Sequence, residues 1–358
     1  MENTKQILIV GGGLGGMFFA AESLLAGHEV TLVDAPAKDS ASRIAAGLFN
    51  VITGRKAGRS WQAAELLEVL NSFFDHPQFQ GLKKFLHPLP IYRTFKSIGE
   101  YNDWTVHSKD PTYNNWVRHI AEPRMPAQIH NELGGLEILP CGWLETGPFL
   151  DALKVVLQTE MGMKVHETTF EHAALNPDTG KVNLGGKNYV YDEVVFAEGV
   201  GIRNNPWFDW MVIWPLKGQI LEVEIPNFDP GFVLMRKIFL LPKGNNFYTV
   251  GSTYEREFVE TGPTAAGIAE LKGLIQEAIK VPFRVVEARA GLRPTTPNRR
   301  PVLGTHPEYP RLHVLNGLGT KGVLQTPWSA QLLRKFLDGE LAEMPKQLSP
   351  QRFLKKKS

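Results

Sequence analysis

Residues Lys5 to Asp34 read KQILIVGGGLGGMFFAAESLLAGHEVTLVD, and this stretch decides the fold. Ile7, Leu8, Ile9 and Val10 form a short, continuous apolar run, the pattern of a strand buried on both faces. Gly11, Gly13 and Gly16 follow in the spacing G-x-G-x-x-G, with Gly12, Leu14 and Gly15 between them. The first glycine permits a tight turn, the second lets backbone N–H groups approach a pyrophosphate, and the third lets a helix pack close to the strand. Met17 to Ala26 reads as that helix, its positive dipole end facing the phosphates. Gly27 and His28 end it, and Glu29 to Val33 forms a second strand. Asp34 closes the unit with a carboxylate able to accept hydrogen bonds from ribose hydroxyls, which argues against a 2′-phosphate. The motif by itself leaves FAD and NAD open.

The 358 residues are enough for two domains with sizeable cores. Hydrophobic residues at 43% and charged residues at 21% are ordinary for a globular protein, and a net charge of +2 gives no general drive toward nucleic acid or membrane. A single cysteine, Cys141, excludes an intrachain disulfide framework and a multi-cysteine metal site; no metal site is expected. No run reaches the ~18 apolar residues of a membrane helix. Glu2 stands where the basic region of a signal peptide belongs, so the expected compartment is cytoplasmic.

Further along, the small residues of Ser42-Arg43-Ile44-Ala45-Ala46-Gly47 allow close approach of a backbone to something bulky, or form a helical turn packed on the first domain. Gly54 to Arg59 is basic and glycine-rich. Ser60 is placed to cap a helix whose apolar face is Leu66, Val69, Leu70, Phe73 and Phe74. Pro77 to Pro140 reads as mixed, mostly β structure without a long helix, its tryptophans Trp104 and Trp116 belonging to core or interface. Thr146 is the expected N-cap of a helix with Phe149, Leu150, Leu153, Val156 and Leu157 on one face. Glu193 to Ala197 is a buried strand ending at Gly199 and Gly201. Strands are expected over Lys217–Ile225, Lys237–Leu241 and Asn246–Gly251, with Lys243-Gly244-Asn245 as the hairpin turn. A helix follows Pro263, and Arg284–Gly291 is another strand. Arg311–Leu315 is the last strand, followed by a second glycine-rich loop, Asn316 to Gly322, and a helix through Ala330, Leu333 and Leu337. Residues 346–358 form a basic, loosely held tail.

Five separated pieces then line up in order: Gly11 to Asp34; Ser42 to Gly47; Pro215-Leu216-Lys217-Gly218-Gln219; Gly291-Leu292-Arg293-Pro294 through Gly304; and Gly317 to Pro327. Together they resemble the FAD-dependent D-amino acid oxidase superfamily, which includes glycine oxidase and sarcosine oxidase. The closing piece also resembles the oxidase half of enzymes that finish aminomethyl-uridine in tRNA. The resemblance implies a mixed α/β chain: a Rossmann-like FAD domain (1–76, 142–205 and 292–345) interleaved with an antiparallel-sheet substrate domain (77–141 and 206–291). It implies FAD held by Gly11, Gly13, Leu14, Gly15, Gly16, Asp34, Ser42, Ala45, Ala46, Gly47, Gly199, Gly319, Thr320, Lys321 and Gly322. It makes Arg293 the carboxylate-binding residue, since a guanidinium fork holds a carboxylate in two parallel hydrogen bonds. Lys321 is placed to add positive charge near the flavin. Where glycine oxidase relatives often carry a tyrosine, this chain has Phe239. Cys141 lies in no stretch that attaches FAD covalently, so non-covalent FAD is expected.

The implied reaction is oxidation of the amine of a small amino acid or N-substituted glycine by hydride transfer, giving an imine that hydrolyses. Oxygen or another acceptor would reoxidise the flavin. The competing readings are an oxidase acting on tRNA, disfavoured by the near-neutral charge, an NAD-dependent dehydrogenase, and a flavoprotein that binds without turnover. The sequence leaves the oligomeric state open.

Overall fold

The computed structural model describes residues 4–35, 39–53, 58–107 and 109–354. Its first sheet has six strands, in the spatial order Lys164–His166, Glu29–Val33, Gln6–Val10, Glu193–Phe196, Leu312–Asn316 and Val302–Thr305. The first five run parallel and the last pairs antiparallel to its neighbour. Ile7, Leu8, Ile9 and Val10 are all buried, because helices or strands cover both faces of the central strand. In register, Val10 pairs with both Val33 and Phe196, and Phe196 with Val314. The carboxyl ends of these strands therefore finish at one edge, where open parallel sheets present their loops to ligands.

The second sheet has eight strands. It runs Arg284–Thr295, Trp214–Glu224, Phe247–Gly251, Phe239–Gly244, Val233–Met235, Ile91–Thr94, Gly135–Ile138 and Val117–Ile120. It is antiparallel except where Val233–Met235 runs parallel to Ile91–Thr94, which stitches the two separated chain segments together. A short antiparallel sheet, Leu48–Asn50, Cys141–Leu144 and Leu86–Pro88, joins three separated pieces of the first 144 residues and has no counterpart in the sequence reading.

Several expectations are corrected. The segment 77–140 contains a helix, Ile98–His107, which buries Trp104 and otherwise carries a weak apolar period. Ser60 does not cap the helix Ala63–Asp75; its N-cap is Gln62, in a left-handed conformation, without a side-chain cap bond. Thr146 begins its helix rather than capping it, and its hydroxyl donates to the Ala45 carbonyl at 3.2 Å. The hairpin turn is Asn245-Asn246, both with positive φ, as a two-residue turn that matches strand twist requires. The closing tail is packed through Phe353: Leu348 and Pro350 are buried, and Arg352 donates to the Pro301 carbonyl at 2.9 Å. The basic positions 54–57 and 355–358 lie outside the described residues.

Candidate functional site

The glycine turn is built by close backbone packing. Gly11 donates to the Val33 carbonyl at 2.9 Å and has φ +105°, a conformation that favours glycine. A Cβ on Gly16 would lie 1.9 Å from the Gly11 carbonyl oxygen, so the helix Leu14–Leu25 reaches the strand only without a side chain there. That helix has no acidic residue in its first turn, which leaves its positive end uncompensated. Gly12 donates to Asp34 Oδ1 at 2.8 Å, and Leu14 donates to Ser42 Oγ at 3.1 Å. The carboxylate is thus held across the turn with lone pairs to spare, and the segment 41–47 is drawn in beside it. Gly47, at φ +77°, passes so close to the Leu144 carbonyl that a Cβ would stand 1.9 Å from its oxygen. Ala45 and Ala46 immediately precede Gly47, Ala45 exposed and Ala46 half-buried. Gly199, at φ +57°, borders open space, and its carbonyl accepts from Asn316 Nδ2 at 2.9 Å. These match requirements of a dinucleotide: a positive helix end, an acid for ribose and backbone without side chains.

The last loop completes this rim. Gly319, at φ +53°, donates to the Pro294 carbonyl at 2.9 Å, and Leu318 bridges to Thr295. The loop is therefore fastened to the strand that carries Arg293. Thr320 is exposed, and Gly322 begins the helix Gly322–Leu337. Lys321 Nζ lies 3.2 Å from Ser60 Oγ, and burial, with Arg299 nearby, pushes its pKa down. Lys321 is thus turned toward the interior rather than standing free in solvent.

On the large sheet, Arg293 lies over a floor of glycine. Gly218 pairs in the adjacent strand, and a Cβ there would stand 1.9 Å from Arg293 Nη2. Nη2 donates to Ser252 Oγ at 2.7 Å, Nη1 donates to the Thr253 carbonyl at 3.4 Å, and the guanidinium lies 5.2 Å from the Tyr254 ring centre. Among the described residues no carboxylate lies within ion-pair distance of it. Burial pushes its pKa down and Tyr254 offsets this, yet a guanidinium stays charged at any ordinary pH. A half-buried cation with only neutral partners is arranged to receive an anion. Phe239 crosses from Gly251, where a Cβ would meet its ring at 3.2 Å, and brings no hydroxyl. Gly291, two residues before Arg293, packs against Ala41 and Ile44, so the 41–47 segment lies between the glycine turn and this wall.

The sequence reading missed Ser252, Thr253 and Tyr254. Their only signal was a hydroxyl-rich run after an expected strand. Cys141 is buried and its thiol is pushed up to about 12, which keeps it protonated and unreactive. No helix among the described residues is long and apolar enough to cross a membrane.

A family model described as FAD dependent oxidoreductase matches residues 6–335. The chain is 26% identical to a bifunctional ThiO/ThiG protein of Nostoc, over 92% of this chain and 52% of that protein. It is 22% identical to a glycine oxidase of Pseudomonas aeruginosa, over 94% and 95% of the two chains. Against a bifunctional tRNA 5-methylaminomethyl-2-thiouridine biosynthesis protein of Idiomarina loihiensis it is 25% identical, over 64% and 39%. The chain spans about half the length of the bifunctional ThiO/ThiG relatives. A crystal structure of glycine oxidase from Geobacillus kaustophilus superposes with a TM-score of 0.80 at 20% identity, covering 98% of this chain and 99% of that one.

Proposed function

This chain belongs to the FAD-dependent oxidoreductase family, and from that premise we propose that it oxidises the amine of a small amino acid or N-substituted glycine. The observation that carries the substrate class is Arg293, a half-buried guanidinium whose partners, Ser252, Thr253 and Tyr254, are all neutral. In this reading Arg293 grips the substrate carboxylate with two hydrogen bonds, and the Ser252 hydroxyl and Tyr254 phenol border it. That grip fixes the α-carbon and excludes other orientations, which is most of what hydride transfer asks of a protein.

FAD, when bound, supplies the hydride acceptor. Gly11, Gly13, Leu14, Gly15 and Gly16 would hold its pyrophosphate, and Asp34 its ribose. Ser42, Ala45, Ala46, Gly47 and Gly199 would line its passage between the two sheets, and Gly319, Thr320, Lys321 and Gly322 its ring edge. In this reading the cofactor is held without a covalent bond, and the single cysteine, buried and protonated, offers no thiolate to attach it. The oxidised substrate is an imine, and water releases ammonia or an amine from it.

The test is anaerobic addition of amino acids and N-methylated glycines to the yellow protein. Bleaching by an amine bearing a free carboxylate, and not by its amide, is the expected result. A panel that leaves the flavin oxidised throughout would overturn the reading. The likeness to a tRNA biosynthesis protein supports a second reading, oxidation of a carboxymethylaminomethyl group on wobble uridine. Salt-dependent retention on tRNA, followed by bleaching with modified tRNA and not with free amino acids, would favour it.

A further inference from the structure

Lys217 is fully buried, in the strand next to Arg293, and the reaction as read above makes no use of it. Neighbouring residues of a strand face opposite sides of the sheet. Gly218 lies under the Arg293 guanidinium, whereas Gln219 packs against Gly267 of the helix Ala265–Ala278. Lys217 shares the side of Gln219, behind the substrate wall.

There its ammonium meets Glu255 Oε2 at 3.3 Å, a distance at which charge does more than hydrogen bonding. Glu255 Oε1 accepts from Gln219 Nε2 at 2.6 Å and from Thr253 Oγ1 at 2.7 Å. Gln219 is itself fastened to the helix start, its side-chain oxygen accepting from Thr264 N at 2.8 Å. In the backbone, Lys217 and Glu255 exchange two N–H···O bonds of 3.0 Å each, and Thr253 donates to the Gln219 carbonyl at 3.2 Å. The segment 252–255 is therefore laid along residues 217–219 in one register. Its front presents Ser252 Oγ, the Thr253 carbonyl and the Tyr254 ring to Arg293. Its back presents Glu255 to Lys217.

A slip of one residue would turn every side chain of this segment to the other face. Glu255 borders a cavity of about 390 Å³, also lined by Phe258, Val259 and Pro263, so the carboxylate has room to turn away. Besides the bonds from Gln219 and Thr253, the buried cation makes that departure costly, because Lys217 would be left without a counter-charge. We propose that Lys217 and Glu255 are a positioning pair, which holds the segment 252–255 in register from behind the sheet and so aims Arg293 at the substrate carboxylate. This rests on the reading of Arg293 as the carboxylate holder.

The test uses the flavin-loaded protein and two probes, glycolate and its neutral amide, glycolamide, with affinity read from the visible flavin spectrum. Lys217→Met with Glu255→Gln removes both charges together and avoids a lone buried ion. Thr253→Val, nearly isosteric, removes the hydroxyl that donates to Glu255 Oε1 and accepts from Gln219 N at 2.9 Å, freeing the Glu255 carboxylate within the segment, and serves if the double variant does not fold. The expected result is a melting temperature close to the parent's, an unchanged free-flavoprotein spectrum, and a glycolate Kd raised at least tenfold with glycolamide affinity unchanged. A folded variant that binds glycolate as the parent does would overturn the proposal, as would equal weakening for both probes. Arg293→Leu is measured alongside. If it too leaves glycolate binding unchanged, the carboxylate assignment has failed; if it alone weakens binding, only the positioning pair has.

Discussion

The guanidinium of Arg293 occupies the space that a side chain on Gly218 would fill: a Cβ at Gly218 would lie 1.9 Å from Nη2 and 2.2 Å from Cζ. One residue supplies the charge and the other supplies its absence of bulk, on paired strands 75 residues apart in sequence. The obstructing atoms are the end of a flexible side chain, so Gly218→Ala should fold and displace the guanidinium. Carboxylate inhibitors should bind about 10- to 100-fold more weakly, or roughly 1.4–2.7 kcal/mol, with the flavin spectrum of the free enzyme unchanged. Titration with glycolate checks this; parent-like affinity would show that Arg293 acts from another position.

Arg293→Leu should leave flavin bound and remove the charge-assisted contact outright. The expected loss is about 2–4 kcal/mol of carboxylate affinity. Inhibitor titration at two salt concentrations measures it, and an unchanged Kd would make Arg293 a structural residue.

Gly16→Ala and Gly47→Ala bring a Cβ to 1.9 Å from a backbone oxygen, of Gly11 and Leu144 respectively. Backbone cannot give way as a side-chain end can, so each should cost about 3 kcal/mol, the upper end of the overpacking range, and release flavin. Gly147→Ala is the control, since nothing lies within 4 Å of its Cβ position. Flavin content after gel filtration and thermal melting separate the three; yellow, parent-stable Gly16→Ala protein would refute the packing argument.

Lys321→Met keeps length and removes a charge that burial already disfavours. If Lys321 faces the flavin, the reduced ring and the sulfite adduct both lose a nearby cation. The sulfite Kd should rise about tenfold, roughly 1.4 kcal/mol, and the flavin reduction potential should fall. Both quantities equal to the parent's would leave the loop's N–H groups and helix dipole as the local source of stabilisation.

Glu193 ties the parallel sheet together, accepting from Lys5 Nζ at 2.9 Å and meeting His313 Nε2 at 2.7 Å. Burial pushes its pKa up, but the bonds and charges of His313 and Lys5 outweigh this and hold it below the ordinary 4.5. A depressed carboxylate stabilises the fold above its unfolded pKa, and that stability is lost as pH falls through the folded one. The melting temperature should therefore drop below about pH 4.5, the unfolded chain binding the extra proton there. Glu193→Gln should lose roughly 2–3 kcal/mol at neutral pH and show a shallower acid limb. An identical acid limb in the variant would assign the acid sensitivity to other carboxylates.

The unit from Gly11 to Asp34 was legible in the sequence because each of its requirements is local. A buried run makes a strand, glycines permit a turn, and an acid follows the next strand within 30 residues. The alternation of the chain between two sheets was legible too, since helix and strand periods change visibly at each return. The Arg293 strand was placed by its motif, but its surroundings were not: Gly218 and Ser252 reach it through strand pairing across long intervals, and periodicity records which face a residue takes without recording its neighbour. The same limit explains Thr146, whose hydroxyl has the chemistry of a cap but finds the Ala45 carbonyl. It applies to Lys321 as well, whose place beside Ser60 comes from residues 261 positions apart in the chain. Local pattern sets backbone conformation and burial; which side chains share a site is settled by the register and crossing of strands that are distant in the chain.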